Sequence, residues 1–445
     1  MRLLSILCLS LAQEDELRRK VQELEDRVKK LEGQKSPSGF KVDAPLLDSL
    51  VIGGQIRLRG EFRDVADYKA PGDDYSTTVY QRVRIHLDAG VSKKLRAFVQ
   101  FQDGRVWGDD PVGGDTSDFD MKQGFLEIRE IGDLPLAVKA GRMELPTLGD
   151  GRLVSPLDWS NTGRSWDGIH ATFSPEGWSV QLWGVNLAEG SVFGSRSKND
   201  YSMAGIYASC RKLEKHEFDV YVFGRALADD DFGSEVGGSL GPRKDGTFGF
   251  RAKGKTGPVD YSGEIAFQYG DQADDDVRAW AAAFTAGFTF EHDWKPRVGV
   301  EVAFASGDDD PTDGDVGTFD PIFPFAHSYH GHADLIGWRN LHAILLSVRV
   351  RPMKDWTLHL DGHAFRLAED RDAWYSAAGT AIRRDTTGSA DPWVGYEIDL
   401  YAKWKCWERL EFWAGYSHFF AGGFVKDTGE DHDQDWVFLQ VLLNL

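Results

Sequence analysis

Six arginines on three consecutive segments form the clearest chemical pattern in this sequence. They alternate with apolar residues, so an extended segment turns its arginines to one face. Clustered guanidinium groups bind carboxylates or phosphates through paired hydrogen bonds, and on the wall of a pore they favour anions. The six residues are Arg57, Arg59, Arg63, Arg82, Arg84 and Arg96.

Acidic residues on later segments offer a second interpretation of the same arginines. Carboxylates that pair with the arginines across strands would neutralise them. The lining would then be polar and hydrated but would not select anions. Both interpretations fit the sequence. The acidic set is Glu127, Glu264, Glu301, Asp361, Glu397 and Asp399.

Three other motifs lack the context that their chemistry needs. Residues 249–256, GFRAKGKT, match the phosphate-loop pattern, but apolar alternation runs through the motif and predicts a strand instead of the required helix. Residues 307–315, GDDDPTDGD, place Pro311 at the third position of a helix-loop-helix calcium loop, so only loose calcium binding is predicted there. His327, His330 and His332 lie within one predicted loop, and His359 and His363 are interpreted as part of a polar lining; no metal site and no cofactor is predicted.

Composition favours a large all-β protein. The chain of 445 residues has 49 glycines, 15 tryptophans, 27 phenylalanines and 13 tyrosines, but only 3 cysteines. The net charge of −20 argues against a nucleic-acid partner. No apolar run approaches the roughly 20 residues of a membrane helix, although a barrel would cross with alternating segments of about 10 residues.

Alternation of apolar and polar residues recurs along the chain and predicts about 18 strands. An even number is expected for a bacterial outer-membrane barrel. The predicted strands are residues 50–64, 82–91, 95–102, 120–131, 136–145, 164–174, 177–188, 201–211, 216–227, 246–256, 258–270, 278–291, 296–306, 338–351, 355–367, 393–405, 408–420 and 434–445.

The connections between these strands alternate between short and long, as in an up-and-down barrel with short turns at one rim and long loops at the other. A barrel of this size encloses a lumen too wide to fill, so the apolar face must point outward into lipid. Tryptophans near strand ends are predicted to form an interfacial girdle. The last strand should close the barrel. The girdle residues are Trp178, Trp280, Trp356, Trp404 and Trp436.

The region before the barrel divides into three predicted parts. Residues 1–12 resemble a shortened signal peptide. Residues 13–33 carry apolar residues at alternating spacings of four and three, which predicts a periplasmic coiled-coil helix able to join several chains through residues 17–31. Residues 34–49 are predicted to be a linker, and the barrel domain is predicted over residues 50–445.

Residues 149–168, GDGRLVSPLDWSNTGRSWDG, combine turn-forming residues with charges, and their place between two strands puts them at the long-loop rim. Together with residues 95–108, LRAFVQFQDGRVWG, the segment from Gly141 to Gly168 resembles the alginate-export family of outer-membrane barrels. The resemblance implies an 18-stranded barrel that passes an anionic uronate polysaccharide through an arginine-lined pore. It also implies that a set of charged residues belongs to the signature segment; the set is Arg142, Arg152, Asp158, Arg164 and Asp167.

The sequence thus predicts an outer-membrane channel, not an enzyme, that passes polar, anionic solutes. Its predicted partners are outer-membrane lipid, the solute and further copies of the chain. The first alternative is a general or phosphate-type trimeric porin. An outer-membrane barrel enzyme would need a nucleophile and a base at a rim, and the sequence shows no recognisable local motif of that kind. A tether that binds the cell wall through the coiled coil is the third alternative.

Overall fold

The computed structural model describes residues 39–42, 46–64, 68, 75–108, 116–188 and 197–445. The predicted signal peptide, coiled coil and half of the linker therefore lie outside the described residues. Within the described residues, no helix is both long and apolar enough to cross a membrane.

The described residues form a closed, antiparallel barrel of 18 strands. We number these together with four shorter strands, β1, β15, β18 and β19. The elements are β1 Gly39–Lys41, β2 Ser49–Arg63, β3 Ser76–Ser92, β4 Leu95–Gly108, β5 Ser117–Ile128, β6 Leu136–Met143, β7 Trp166–Phe173, β8 Trp178–Ala188, β9 Ser197–Cys210, β10 His216–Gly233, β11 Leu240–Thr256, β12 Val259–Gln272, β13 Asp275–Thr289, β14 Arg297–Ala305, β15 Asp315–Val316, β16 Leu341–Val350, β17 Trp356–Arg366, β18 Ala373–Tyr375, β19 Ala381–Arg384, β20 Trp393–Trp407, β21 Leu410–Ala421 and β22 Gln434–Asn444. One short α-helix, α1, spans Gly423–Thr428, and two 3-10 turns span Ile131–Asp133 and Ala326–Ser328.

Each barrel strand pairs with its neighbour in sequence, and β22 pairs with β2, so the last strand closes the barrel as predicted. Every predicted strand corresponds to an observed one. The clearest difference concerns residues 228–245, which were expected to be a long loop. Instead β10 and β11 extend into this region, and only residues 234–239 connect them.

The short connections lie at one rim and the long ones at the other. The long rim contributes two segments that fold into the lumen. We call residues 144–165, between β6 and β7, loop A, and residues 306–340, between β14 and β16, loop B. The short hairpin of β18 and β19 lies in a further long-rim connection, between β17 and β20.

Apolar side chains on alternating positions face outward, as expected for a lipid-facing wall. Leu346 is 62% exposed and Leu439 is 56% exposed, whereas their polar neighbours face the lumen. Trp178, Trp280 and Trp404 are also exposed on the outer face, in keeping with a girdle. Trp436 is a correction, because it is 1% exposed and points inward, where its ring lies 4.8 Å from that of Phe438.

The sequence 249–256 lies entirely within β11, flanked on both sides by strands, as the alternation predicted. A phosphate loop needs the backbone amides of a helix start, and those of β11 are engaged in the sheet.

Candidate functional site

Loop A crosses the lumen and is held by arginines of β2 and β3. The Arg57 guanidinium donates hydrogen bonds to the backbone carbonyls of Asp158 and Trp159, both at 2.9 Å, and to that of Ser160, also at 2.9 Å. Arg82 donates to the carbonyls of Asp158 and Ser160, at 2.9 and 3.0 Å. These two side chains are almost fully buried. Their donors therefore hold the backbone of loop A in place.

The ring of Trp159 lies at the tip of loop A, where Arg59 covers it. The guanidinium carbon of Arg59 is 3.9 Å from the ring centroid, and its Nη1 donates to the Trp159 carbonyl at 2.7 Å. On other sides the ring contacts Trp413 and Phe438, with centroids 4.8 and 5.5 Å away. A guanidinium over an aromatic face adds an attraction to the hydrogen bond.

Asp158 is the acidic group of this region. Its carboxylate lies 2.7 Å from Arg84 and 3.1 Å from Arg82. Desolvation deep in the barrel would raise the pKa of this carboxyl, but Arg82, Arg84 and Arg57 outweigh that effect and lower the pKa to about 2. The carboxylate is thus charged at any pH above about 4. The side chain is nevertheless 62% exposed, so the lumen is open beside it.

The first half of loop A is attached to the opposite wall. Asp150 accepts hydrogen bonds from Arg251 at 2.8 Å, Lys253 at 2.7 Å and Ser262 at 2.6 Å. Although burial opposes it, Arg251 holds the pKa of the Asp150 carboxyl well below its ordinary value. Loop A therefore spans the barrel from β11 and β12 to β2 and β3.

Arg152 forms a buried ion pair with the same wall. Its Nη2 donates to Glu301 at 2.7 Å, and its guanidinium lies 3.7 Å from the ring centroid of Tyr329 in loop B. Arg164 joins the two loops, because it donates to the carbonyl of Ser155 at 3.2 Å and to that of Pro324 at 2.9 Å. Both arginines have roles in loop attachment.

Loops A and B also pair through their backbones. The Ser155 amide donates to Phe323 at 2.9 Å, Phe323 donates to Leu153 at 2.8 Å, and Phe325 donates to Gly151 at 2.9 Å. The two loops therefore form one composite plug, which we define as loops A and B together.

Loop B is fixed to β20 and β2. The amide of Ala333 donates to Glu397 at 2.9 Å, and its carbonyl accepts from Arg63 at 2.6 Å. His327 stacks on Trp159 with ring centroids 4.0 Å apart. Burial lowers the pKa of His327, so the ring is neutral at pH 7 and packs as an aromatic group.

The remaining predicted residues have different surroundings. Arg96 lies towards the short-turn rim and pairs with Asp88 at 2.7 Å and Glu127 at 3.1 Å. This agrees with the second interpretation, in which carboxylates pair with the arginines across strands. Arg142 and Asp167 form a bidentate pair at 2.7 and 2.8 Å. By strand register they lie on the same face as Ala140 and Ile169, which are exposed, although the Arg142 side chain itself is only 7% exposed. Their place on the lumen wall stays a prediction.

Two groups were missed by the sequence interpretation. One is a buried ion cluster in which Arg225 bridges Asp245, at 2.8 Å, and Asp320 of loop B, at 2.6 Å. The other is a set of lumen-facing cations on later strands, Arg349 and Lys403. The signal that could have revealed both is the alternation that located the first six arginines, applied to β10, β11, β16 and β20.

Among the described residues, no group of three or more histidine, cysteine, aspartate or glutamate side chains is arranged to hold a metal ion. Loose calcium binding at residues 307–315 stays a prediction.

Comparison with known proteins agrees with this architecture. Residues 48–438 match the family model described as alginate export. No curated protein matches the chain. Three solved structures from Pseudomonas aeruginosa are similar in fold. OprD shares 13% identity with a TM-score of 0.56, and the match covers 92% of this chain and 99% of OprD.

OpdQ shares 11% identity with a TM-score of 0.59, over 90% of this chain and 99% of that one. OccK5 (OpdH) shares 11% identity with a TM-score of 0.55, over 90% of this chain and 100% of that one. At these identities the likeness concerns the fold. Since the family model covers most of the sequence, the chain belongs to the alginate export family of porin-type outer-membrane β-barrels.

Proposed function

We propose that this channel passes anionic solutes, including uronate-type polysaccharide, and that it acts as a channel and not as an enzyme. The observation that carries the proposal is the charge where loop A meets β2 and β3. Five cations gather there against three carboxylates, which leaves two positive charges in excess. The cations are Arg57, Arg59, Arg82, Arg84 and Lys122, and the carboxylates are Glu61, Glu144 and Asp158.

An excess of fixed positive charge in a narrow lumen raises the local concentration of anions. In this proposal most of the arginines attract the solute through their electrostatic field and do not bind it directly, because their N–H groups already donate to the backbone of loop A. The open space beside Asp158 gives a solute access to that field. The plug narrows the passage and is displaced, at least in part, when a large solute passes.

Selectivity in planar bilayers tests this function. We expect a reversal potential in a KCl gradient that shows preference for chloride, and a reduction of the current by oligo-uronates. A neutral oligosaccharide of equal length is the control and should reduce the current less. Stronger competition by inorganic phosphate than by oligo-uronate would favour a phosphate-type porin, and a preference for potassium would contradict the proposal.

We further propose that residues 17–31 join several chains outside the barrel. The support is their heptad spacing, which leaves a short apolar seam that is marginal without a partner. Deleting residues 13–33 is expected to leave the single-channel conductance unchanged and to reduce the oligomer to single barrels in cross-linking and light scattering. An oligomer that survives the deletion would show that the barrels themselves associate.

A further inference from the structure

A second basic group lies on the lumen wall near the short-turn rim. Arg349 is one residue from the end of β16, and it pairs in register with His359 of β17, which pairs with Tyr401 of β20. Lys403 lies two residues further along β20. We call Arg349, His359 and Lys403 the mouth patch. All three side chains are half-buried, so they reach into accessible space.

The mouth patch differs from the other basic groups because carboxylates do not neutralise it. Among the residues that the structure describes, none forms a hydrogen bond or an ion pair with these three side chains through their polar atoms. Asp260 acts on Arg349 only at a distance, since it is bound to Arg297 at 2.6 and 3.0 Å. Glu411 acts on Lys403 in the same way, without an ion pair.

Aromatic rings fix two members of the patch instead. The Lys403 ammonium lies 3.8 Å from the ring centroid of Trp413, and the His359 ring stacks on Tyr401 at 4.4 Å. These contacts orient the side chains without using their hydrogen-bond donors. The Lys403 ammonium, held in position and without a carboxylate partner, is suited to an anion.

Three other basic residues near this rim have carboxylate partners. Arg96 and Arg129 share Glu127, and Arg211 pairs with Glu217. Arg349 and Lys403, on the wall formed by β16, β17 and β20, have no such carboxylate partner. The patch also lies directly beneath the plug, because His332 of loop B is 4.5 Å from the Tyr401 ring.

We propose that the mouth patch is the site where carboxylate-bearing anions first bind when they enter from the short-turn side, which is the periplasmic side in barrels of this kind. The proposal rests on the proposed function, because it assumes that anions cross this channel. Arg349 on β16 offers a fork of donors. Lys403 on β20, on the other side of β17, offers a second positive charge. A chain with several carboxylates engages both and is thus delivered to the plug.

The test removes these two charges in the full chain. In planar bilayers, tri-galacturonate, citrate and inorganic phosphate are added separately to each side, and the association rate of current block is recorded. For R349Q/K403Q we expect the rate for tri-galacturonate from the short-turn side to fall about tenfold at low salt, with no change from the long-loop side. The matched control is K93Q/K94Q, which removes two charges from an exposed turn at the same rim.

The outcomes separate the two proposals. Equal rates in R349Q/K403Q and K93Q/K94Q, with a wild-type channel that prefers anions, overturn the mouth patch alone. A wild-type channel without anion preference overturns the proposed function. A larger effect on phosphate than on either carboxylate probe overturns the assignment to carboxylates. If the double variant does not fold, R349Q and K403Q are measured singly, each with an expected decrease of about threefold.

Discussion

Replacing both Arg57 and Arg82 with glutamine is expected to raise the single-channel conductance and lower the preference for anions. Glutamine is too short to reach the carbonyls of residues 158–160 that both arginines bind. Each guanidinium contributes about 2 kcal/mol through charge-assisted hydrogen bonds. Their joint loss therefore shifts loop A towards a displaced state by about a thousandfold. Conductance and reversal potential in a KCl gradient measure the two effects.

Lysine at the same two positions separates attachment from charge. A lysine keeps the positive charge but cannot reproduce a planar fork that binds several carbonyls. The R57K/R82K variant should therefore conduct more than the wild type and keep its anion preference. Arg278, exposed at the long-loop rim, supplies the control R278Q, which is expected to behave as the wild type. Unchanged conductance in both double variants would contradict the role of these arginines in holding loop A.

Replacing Arg225 with methionine is expected to be the most destabilising single change. The guanidinium lies between two buried carboxylates, those of Asp245 and Asp320. Removing the cation from a buried pair costs about 3–5 kcal/mol, because a charge remains buried without compensation. Burial opposes ionisation of Asp320, but Arg225 and Arg339 hold its pKa well below the ordinary value. The free energy of unfolding in urea, with the barrel in lipid vesicles, measures the loss.

The triple variant R225M/D245N/D320N tests the cause of this instability. Neutral amides in place of the carboxylates remove the uncompensated charge, so most of the lost free energy should return. Failure of the triple variant to recover would attribute the loss to packing around residue 225. A single R225M variant as stable as the wild type would show that water or the neighbouring Arg243 compensates the carboxylates.

Much of the barrel could be predicted from the sequence because the signal for a strand is local. Alternation located all 18 strands, and the pairing of β22 with β2 followed from the need to leave no open edge. The extension of β10 and β11 was missed because residues 228–245 are rich in Asp and Gly, which are ordinarily depleted in strands. Cross-strand pairing outweighs that weak preference here.

The contacts of the site residues could not be predicted in the same way. Which residues face the lumen is a property of each strand, but what meets them there depends on the path of a distant loop. Arg57 binds backbone atoms about 100 positions away. Trp436 was expected in the girdle because it lies near a strand end, yet the position of Val437 on the outer face turns Trp436 inward.

The tip of loop A has a consequence for the mechanical integrity of the barrel. The ring of Trp159 is held by Arg59 on the first barrel strand and packs on Phe438 of the last, so it bridges the line where these two strands meet. The two strands are the barrel partners most distant in sequence, so their pairing closes the longest loop and has the largest entropic cost. Loop A therefore adds contacts across the closure of the barrel, and a displacement of the loop would also remove the contacts that Trp159 makes between β2 and β22.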